Sequence, residues 1–448
     1  MAHGKVWGDR TGKGSGGPGV APAPVAAANT AGAASARPEA GAAGAEPDGR
    51  AATEAGWGAE TPPAARSRPA WEEPVAAAAG PAGPAETPAS GADLAVPTRQ
   101  WAGLLPEELG RVLSAWGEPA YRGRQIFAWL HRRGVTRFAE MTDLPKDLRR
   151  RLEALGDPVV PAVRRLQVDP QDGTRKYLLE LEDGQLIETV LMRHRYGLSL
   201  CVSSQVGCAM GCRFCASTLG GLVRNLTAAE MAGQLLVVNR DLAERGQRVS
   251  HVVVMGIGEP LQNLDATLQF LRVAHHPQGA GISYRHMTVS TSGLVPRIRQ
   301  LAHAGLPITL AVSLHAPNDA LRSWLMPVNR RWPIAELMDA CREYVERTGR
   351  RITFEYVLIE DVNDRPEHAA ELADLVAGLN GHVNLIPWNP VSERPFRAPS
   401  PERVQAFVAA LRRRGVNVTV RRELGQRIEA ACGQLRRRAL AEMGSGRA

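Results

Sequence analysis

Cys201, Cys208, Cys212 and Cys215 fall within the fifteen residues that open "CVSSQVGCAMGCRFCAS", whereas Cys341 and Cys432 stand apart far downstream. The last three of the cluster are spaced C-x3-C-x2-C. Three thiolates on one short loop can each hold one iron of a cubane iron–sulfur cluster and leave the fourth iron open to a substrate group. Gly207 and Gly211 supply the backbone freedom that such a wrap needs. Structural zinc, with Cys201 as fourth ligand, is the competing use of these sulfurs, although zinc sites more often pair two C-x2-C halves across a longer span. Cys341 sits in the helix-patterned "LMDACREYV" and is expected to be a small apolar core residue.

The segments around the cysteine loop must position it. After the loop, the runs "LSLCVSS", "HVVVMGI", "HMTVSTS", "ITLAVSL", "ITFEYVLI" and "HVNLIPW" alternate with helical patterns. Near-continuous apolar strands separated by helices predict a parallel sheet covered by helices, either an α/β barrel or a doubly wound sheet. Chemistry in such folds gathers at the carboxyl ends of the strands. The cysteine loop, "GIGEP", "STSG", "SLHAP" and "PWNP" each follow or end a predicted strand, so they are expected to face one mouth.

The chain as a whole divides into four stretches. Residues 1–97 are Ala, Gly and Pro with scattered charge, a composition that buries too little apolar surface to offset ordering entropy, and are expected to be disordered. Residues 98–158 carry helical periodicity, with Leu109, Val112, Leu113 and Trp116 on one face, then Ile126, Phe127 and Leu130. A third helix near 145–155 bears Arg149, Arg150 and Arg151, an edge that serves either as solvated cap or as nucleic-acid contact. Residues 159–193 alternate as strands of a small antiparallel sheet, and 194–440 would form the catalytic domain.

Charge is unevenly spread. The whole chain carries 54 Lys and Arg against 46 Asp and Glu; residues 1–97 hold 7 and 10 of these, leaving 47 and 36, a net of +11, on the rest. A folded part that basic points to a polyanionic partner, nucleic acid above all. No secretory leader or bilayer-length apolar run is visible, and clustered cysteines in so long a chain suit a reducing compartment, so a cytoplasmic protein without membrane contact is expected.

The triplet with Phe214 before its last cysteine resembles the radical S-adenosylmethionine superfamily. Joined with "RNLT", "GEPLQN", "STSG", "SLHAPND", "MPVN", "WNP" and "AACGQL", it is similar to the RlmN/Cfr branch of RNA methyltransferases over about residues 100–440. The resemblance implies a partial (β/α)6 barrel with an N-terminal helical module, a 4Fe–4S cluster on Cys208, Cys212 and Cys215, and S-adenosylmethionine chelating the open iron. Gly258 and Glu259 would meet the amino end of that cofactor, a carboxylate facing an ammonium. Ser290, Ser313, Leu314, His315 and Asn389 would contact the remainder.

The same resemblance assigns the outlying cysteines. An amidine carbon such as adenine C2 is electrophilic and resists a methyl cation equivalent. Cys432 would therefore first take a methyl group from one S-adenosylmethionine. A radical derived from a second would remove hydrogen from that S-methyl group, and the resulting carbon radical would add to the adenine. Glu188 in "LIETV" would remove the ring proton, its pKa raised on a half-buried strand, and Cys201 would release the product by forming a disulfide with Cys432. The implied substrates are 23S ribosomal RNA and transfer RNA at the adenine 3′ of the anticodon, with flavodoxin or ferredoxin as electron donor and a monomeric enzyme. Methylation at adenine C8, known in the same branch, and a zinc-stabilised nucleic-acid-binding protein without catalysis are the alternatives. One departure concerns the segment before "AACGQL", where Arg427 stands in place of the acidic residue usual in the family and puts the local loop conformation in question.

Overall fold

The computed structural model describes residues 99–158, 160–422, 424–425, 427–428 and 433–445. The expected disordered stretch over 1–97 and Cys432 lie outside them.

Three helices open the described chain: α1 (Pro106–Ala115), α2 (Tyr121–His131) and α3 (Lys146–Ala154). Pro106 starts α1 where no amide hydrogen is needed, and the Glu108 carboxylate accepts from the Leu105 N–H at 2.7 Å. Leu109, Val112, Leu113, Ile126, Phe127 and Leu130 are buried on the faces their spacing predicts. Trp101 joins them, edge-on to Trp116 at 6.0 Å and to Phe138 at 5.5 Å. The arginine edge of α3 is largely committed to the module itself. Arg149 donates to the Ala139 carbonyl at 2.7 Å, Arg151 lies over the Trp116 ring at 4.6 Å, and exposed Arg150 pairs with Asp147.

The antiparallel strands are β1 (Ala162–Val168), β2 (Arg175–Glu180) and β3 (Leu186–His194), followed by β4 (Gly197–Cys201). A two-stranded ladder, β5 (Gln205–Gly207) with β6 (Leu222–Asn225), frames the cysteine loop. Then come α4 (Ala228–Ala243), β7 (His251–Val254), α5 (Leu264–His275), β8 (Met287–Thr291), α6 (Val295–His303) and β9 (Thr309–Ser313). The chain continues through α7 (Asp319–Leu325), α8 (Ile334–Thr348), β10 (Ile352–Leu358), α9 (Pro366–Val376) and β11 (Gly381–Pro387). It ends with α10 (Pro401–Arg413), β12 (Val418–Val420) and α11 (Gln434–Ser445).

The strands form one sheet in the order β1-β2-β3-β4-β7-β8-β9-β10-β11-β12. From β4 to β12 every pairing is parallel, giving six barrel strands and the short β12 as a seventh. The antiparallel strands are therefore not a separate small sheet: β3 pairs with β4 antiparallel and extends the barrel wall. Both faces of β2 and β3 are covered, whereas β1 at the sheet edge is largely exposed. Tyr177, Leu179, Ile187 and Leu191 join the main core, while Leu178 and Leu186 pack with Leu435 and Ala439 of α11. Alternation along β2 and β3 thus separates two buried faces rather than an inner from a solvated one.

Among the described residues no helix is long and apolar enough to cross a membrane.

His131 ends α2, buried and 4.4 Å from the Phe127 ring, and burial pulls its imidazole down to about 3. The unfolded chain binds a proton there below about pH 6.5, whereas the folded chain does not until near its own value. Stability is thus complete above pH 6.5 and falls as pH drops, by up to about 1.4 kcal/mol per unit. Thermal midpoints measured from pH 7 to 5 should decline less steeply in His131→Leu than in the parent; parallel curves would refute this.

Candidate active site

The cysteine loop is clamped through its backbone. Gly207 has φ +79°, and a Cβ there would lie 2.0 Å from the Gly221 carbonyl oxygen, so only glycine lets β5 close onto β6. The next amide, Cys208 N–H, donates to that same carbonyl at 2.9 Å. The Thr218 hydroxyl reaches the carbonyls of Cys212 and Cys215 at 3.1 and 3.0 Å. From beyond β11, Trp388 Nε1 donates to the Phe214 carbonyl and Arg394 donates to that of Cys215, both at 3.2 Å. Arg213 N–H donates to Leu325 at the end of α7 at 2.9 Å.

Burial pushes the Cys208 thiol up to about 12 and the Cys212 thiol well above its ordinary value, with the neighbouring cysteines adding to both. Sulfurs so placed ionise only around a cationic centre, which is what an iron–sulfur cluster offers. Among the described residues no three His, Cys, Asp or Glu side chains converge as ligands of a single ion. The sulfurs of a cubane each bind a different iron and have no need to converge on one point. Cys201 is set apart from the triplet. It ends β4 beside Val190 and Met192, with Met255 and Leu424 packed around it, whereas Cys208 and Cys212 belong to the main core cluster. A four-sulfur zinc site that includes Cys201 does not match this separation.

The other sequence-predicted positions lie at carboxyl ends of parallel strands. Gly258 follows β7 with φ +111°, and a Cβ would come within 2.8 Å of the Gln205 backbone nitrogen and closer to its side chain. Glu259 is buried; its Oε1 accepts from Leu261 N–H at 3.0 Å and its Oε2 from Ser292 N–H at 2.7 Å. Burial raises its pKa while those hydrogen bonds oppose the rise. Ser290 lies in β8 and Ser313 at the end of β9, both partly exposed, and Leu314 is buried just beyond. Asn389 is exposed after β11.

His315 adopts φ +56°, and its ring stands edge-on to Phe214 of the cysteine loop at 4.8 Å. Its Nδ1 accepts from Val357 N–H at 2.9 Å, which puts the proton of the neutral ring on Nε2. Burial, seconded by Arg322, pulls its pKa down to about 3.

Arg322 escaped the sequence reading. Its fully buried guanidinium donates to the carbonyls of Leu314 (3.1 Å), Ser292 (2.7 Å) and Ser313 (3.0 Å) and to Asn329 Oδ1 (2.7 Å). It ties the ends of β8 and β9 together beneath the predicted cofactor contacts. The only signal was an arginine inside "NDALRSWLMPVN", where an amphipathic helix would ordinarily turn it to solvent. Cys341 is buried in α8 as expected.

Glu188 is fully buried rather than half-buried. Its Oε2 lies 3.0 Å from Lys176 Nζ and accepts from Gly433 N–H at 2.8 Å, and its Oε1 accepts from Arg436 N–H at 2.7 Å. Gly433, the residue bonded to Cys432, also abuts Ser217 of the cysteine loop, where a Cβ would meet the backbone nitrogen at 3.1 Å. The segment before it is tied by main chain: Gly425 N–H donates to Asp172 and Arg427 N–H to Asp169. Arg427 is exposed, so the described contact of that position uses the backbone, which any side chain there provides.

A parallel α/β barrel with a three-cysteine loop at the carboxyl ends of its strands defines a radical S-adenosylmethionine enzyme. Residues 202–373 match the family model of the Radical SAM superfamily, whose cofactors are a 4Fe–4S cluster and S-adenosylmethionine. Residues 101–156 match the model of the ribosomal RNA large subunit methyltransferase N-terminal domain. The probable dual-specificity RNA methyltransferase RlmN of Symbiobacterium thermophilum is 54% identical over 338 residues, covering 75% of this chain and 91% of that protein. The one of Bacillus subtilis is 51% identical over 332 residues, covering 74% and 91%. A radical SAM methyltransferase from Sphaerobacter thermophilus has a similar structure, with TM-score 0.72, 50% identity and coverage of 74% of this chain and 98% of that one. The chain belongs to the RlmN family and is a radical S-adenosylmethionine methyltransferase.

Two substitutions test the site. Gly207→Ala should sharply lower iron and sulfide bound per chain after anaerobic isolation, because the β5–β6 closure cannot form; full cluster content would contradict the steric argument. Arg322→Met strands four buried acceptors and should cost at least about 3 kcal/mol of stability. Denaturant unfolding measures it, and Arg322→Lys should recover only part, since an ammonium cannot span the same fork of acceptors.

Proposed function

We propose that the chain methylates C2 of adenine in 23S ribosomal RNA and in transfer RNA, using Cys432 as methyl carrier, Glu188 as base and Cys201 as the resolving thiol. One observation carries this reading: Glu188 and Cys201 occupy neighbouring strands of one wall, and Glu188 is hydrogen-bonded to the residue that follows Cys432. Glu188 lies two residues before Val190, which pairs with Cys201, so the three side chains share a face.

Cys208, Cys212 and Cys215 would hold the cluster, with Gly258, Glu259, Ser290, Ser313, Leu314, His315 and Asn389 as the cradle for S-adenosylmethionine. When bound, these cofactors supply a methyl group and, on one-electron reduction, a carbon radical able to remove hydrogen from an S-methyl group. The chain's own contribution is placement. Glu188 accepts the proton that leaves the adenine ring carbon. Cys201, buried beside Val190 and Met192, attacks the Cys432 sulfur; as the disulfide forms, the bond from that sulfur to the transferred methylene breaks, and the methylene takes up a proton to leave as the methyl group of the base. The net charge of +11 outside residues 1–97 favours RNA and an acidic electron donor such as flavodoxin or ferredoxin. A monomer would leave the rim open to a large folded RNA.

Nucleoside mass spectrometry after reaction with RNA lacking the modification should show 2-methyladenosine, and 8-methyladenosine as main product would overturn the regiochemistry. Cys201→Ala should keep its cluster and still methylate Cys432, yet accumulate a covalent enzyme–RNA adduct visible by denaturing electrophoresis. Normal turnover by that variant would remove the resolving role.

A further inference from the structure

Lys176 has no part in the roles assigned above, yet its whole side chain is buried in β2 beside Glu188. Register places it in a single row across three strands: Lys176 faces Val190 on β3, and Val190 faces Cys201 on β4. Directly paired residues project to the same side of a sheet, so Lys176, Val190 and Cys201 look onto the same space. Glu188 borders that row and, among the described residues, takes three donors, Lys176 Nζ and the amides of Gly433 and Arg436. Both amides belong to the start of α11, whose positive dipole end favours a carboxylate there. The Arg436 guanidinium donates to the Leu186 carbonyl at 2.7 Å, and Leu435 packs on Leu178 and Leu186.

A buried ion pair adds little net stability over apolar residues of the same shape, because desolvation offsets the attraction. Its value here is directional, since the carboxylate accepts hydrogens from one segment at two defined points. We infer that Lys176 and Glu188 form a buried latch that fixes residues 433–436, the segment that follows Cys432 in the sequence, against the wall bearing Cys201. Lys176 is a positioning residue: its ammonium lies against Glu188 Oε2, and the same carboxylate takes the amides of Gly433 and Arg436. The inference rests on the proposed methyl-carrier role of Cys432 for its functional meaning, whereas the latch itself can be tested without catalysis.

Hydrogen–deuterium exchange of the cluster-loaded full chain is the direct test. In Lys176→Met, amides 433–436 should exchange about 10- to 100-fold faster than in the parent, the equivalent of losing one or two charge-assisted hydrogen bonds. Peptides spanning 208–215 should be unchanged, and Lys176→Arg should return most of the protection. RNA methylation by Lys176→Met should fall in kcat with little change in KM for RNA. Should the single variant unfold, Lys176→Met/Glu188→Leu replaces both charges with apolar groups; it should fold and still exchange rapidly at 433–436. Parent-like protection in either folded variant would overturn the latch. Rapid exchange in the variants, with no methyl group found on Cys432 of the parent, would leave the latch standing and sink the carrier reading instead.

Discussion

Loops at the carboxyl rim of the barrel are buried, and every buried backbone carbonyl there must find a donor. The structure meets that demand with a few polar side chains, each serving several strands. Arg322 holds the ends of β8 and β9. Asn263 donates to the carbonyls of Ser204 and Leu226, which seats the approach to the cysteine loop on α5. Asn363 reaches the carbonyls of His315 and Val357 and steadies the left-handed turn at His315. Gln234 brackets Ser203 by accepting from its N–H and donating to its carbonyl. A rim held this way is set before any ligand arrives, so binding energy need not be spent ordering it.

The buried carboxylates of the barrel illustrate how surroundings divide similar groups into different tasks. Glu259 takes backbone amides from its own loop and from the end of β8, and burial alone pushes against its ionisation. It joins two rim loops at the place where an ammonium group is expected. Glu355, deeper in the barrel, is held by Asn384 at 2.8 Å, and burial raises it while Arg421 works in the opposite direction. Glu188 alone has a lysine at contact distance and amides from the C-terminal helix. Its partners come from β2 and α11, so it senses the position of the last segment of the chain in a way the other two do not.

Structure revised the weight of several features rather than their existence. The arginines of α3 turned out to bind their own module: one caps a carbonyl, another stacks on Trp116 and the third is a solvated ion pair. The antiparallel strands became barrel wall because β4 serves both ladders, antiparallel to β3 and parallel to β7. At Arg427 the described contact is made by the peptide N–H, which donates to Asp169.

Spacing along the chain was enough to determine the cysteine triplet, the succession of buried strands and the set of loops that follow them, because sulfur ligation and strand burial are local and periodic. The same local logic located Cys341 in a helix core. Which loops share a rim follows from parallel pairing, and so was expected before any contact was visible. The pairing of Lys176 with Glu188, the four acceptors around Arg322 and the seating of Gly433 between Glu188 and Ser217 were decided only by tertiary structure. Each joins residues with no common sequence period, and a charged side chain is driven inward only where the folded chain presents partners that replace its water.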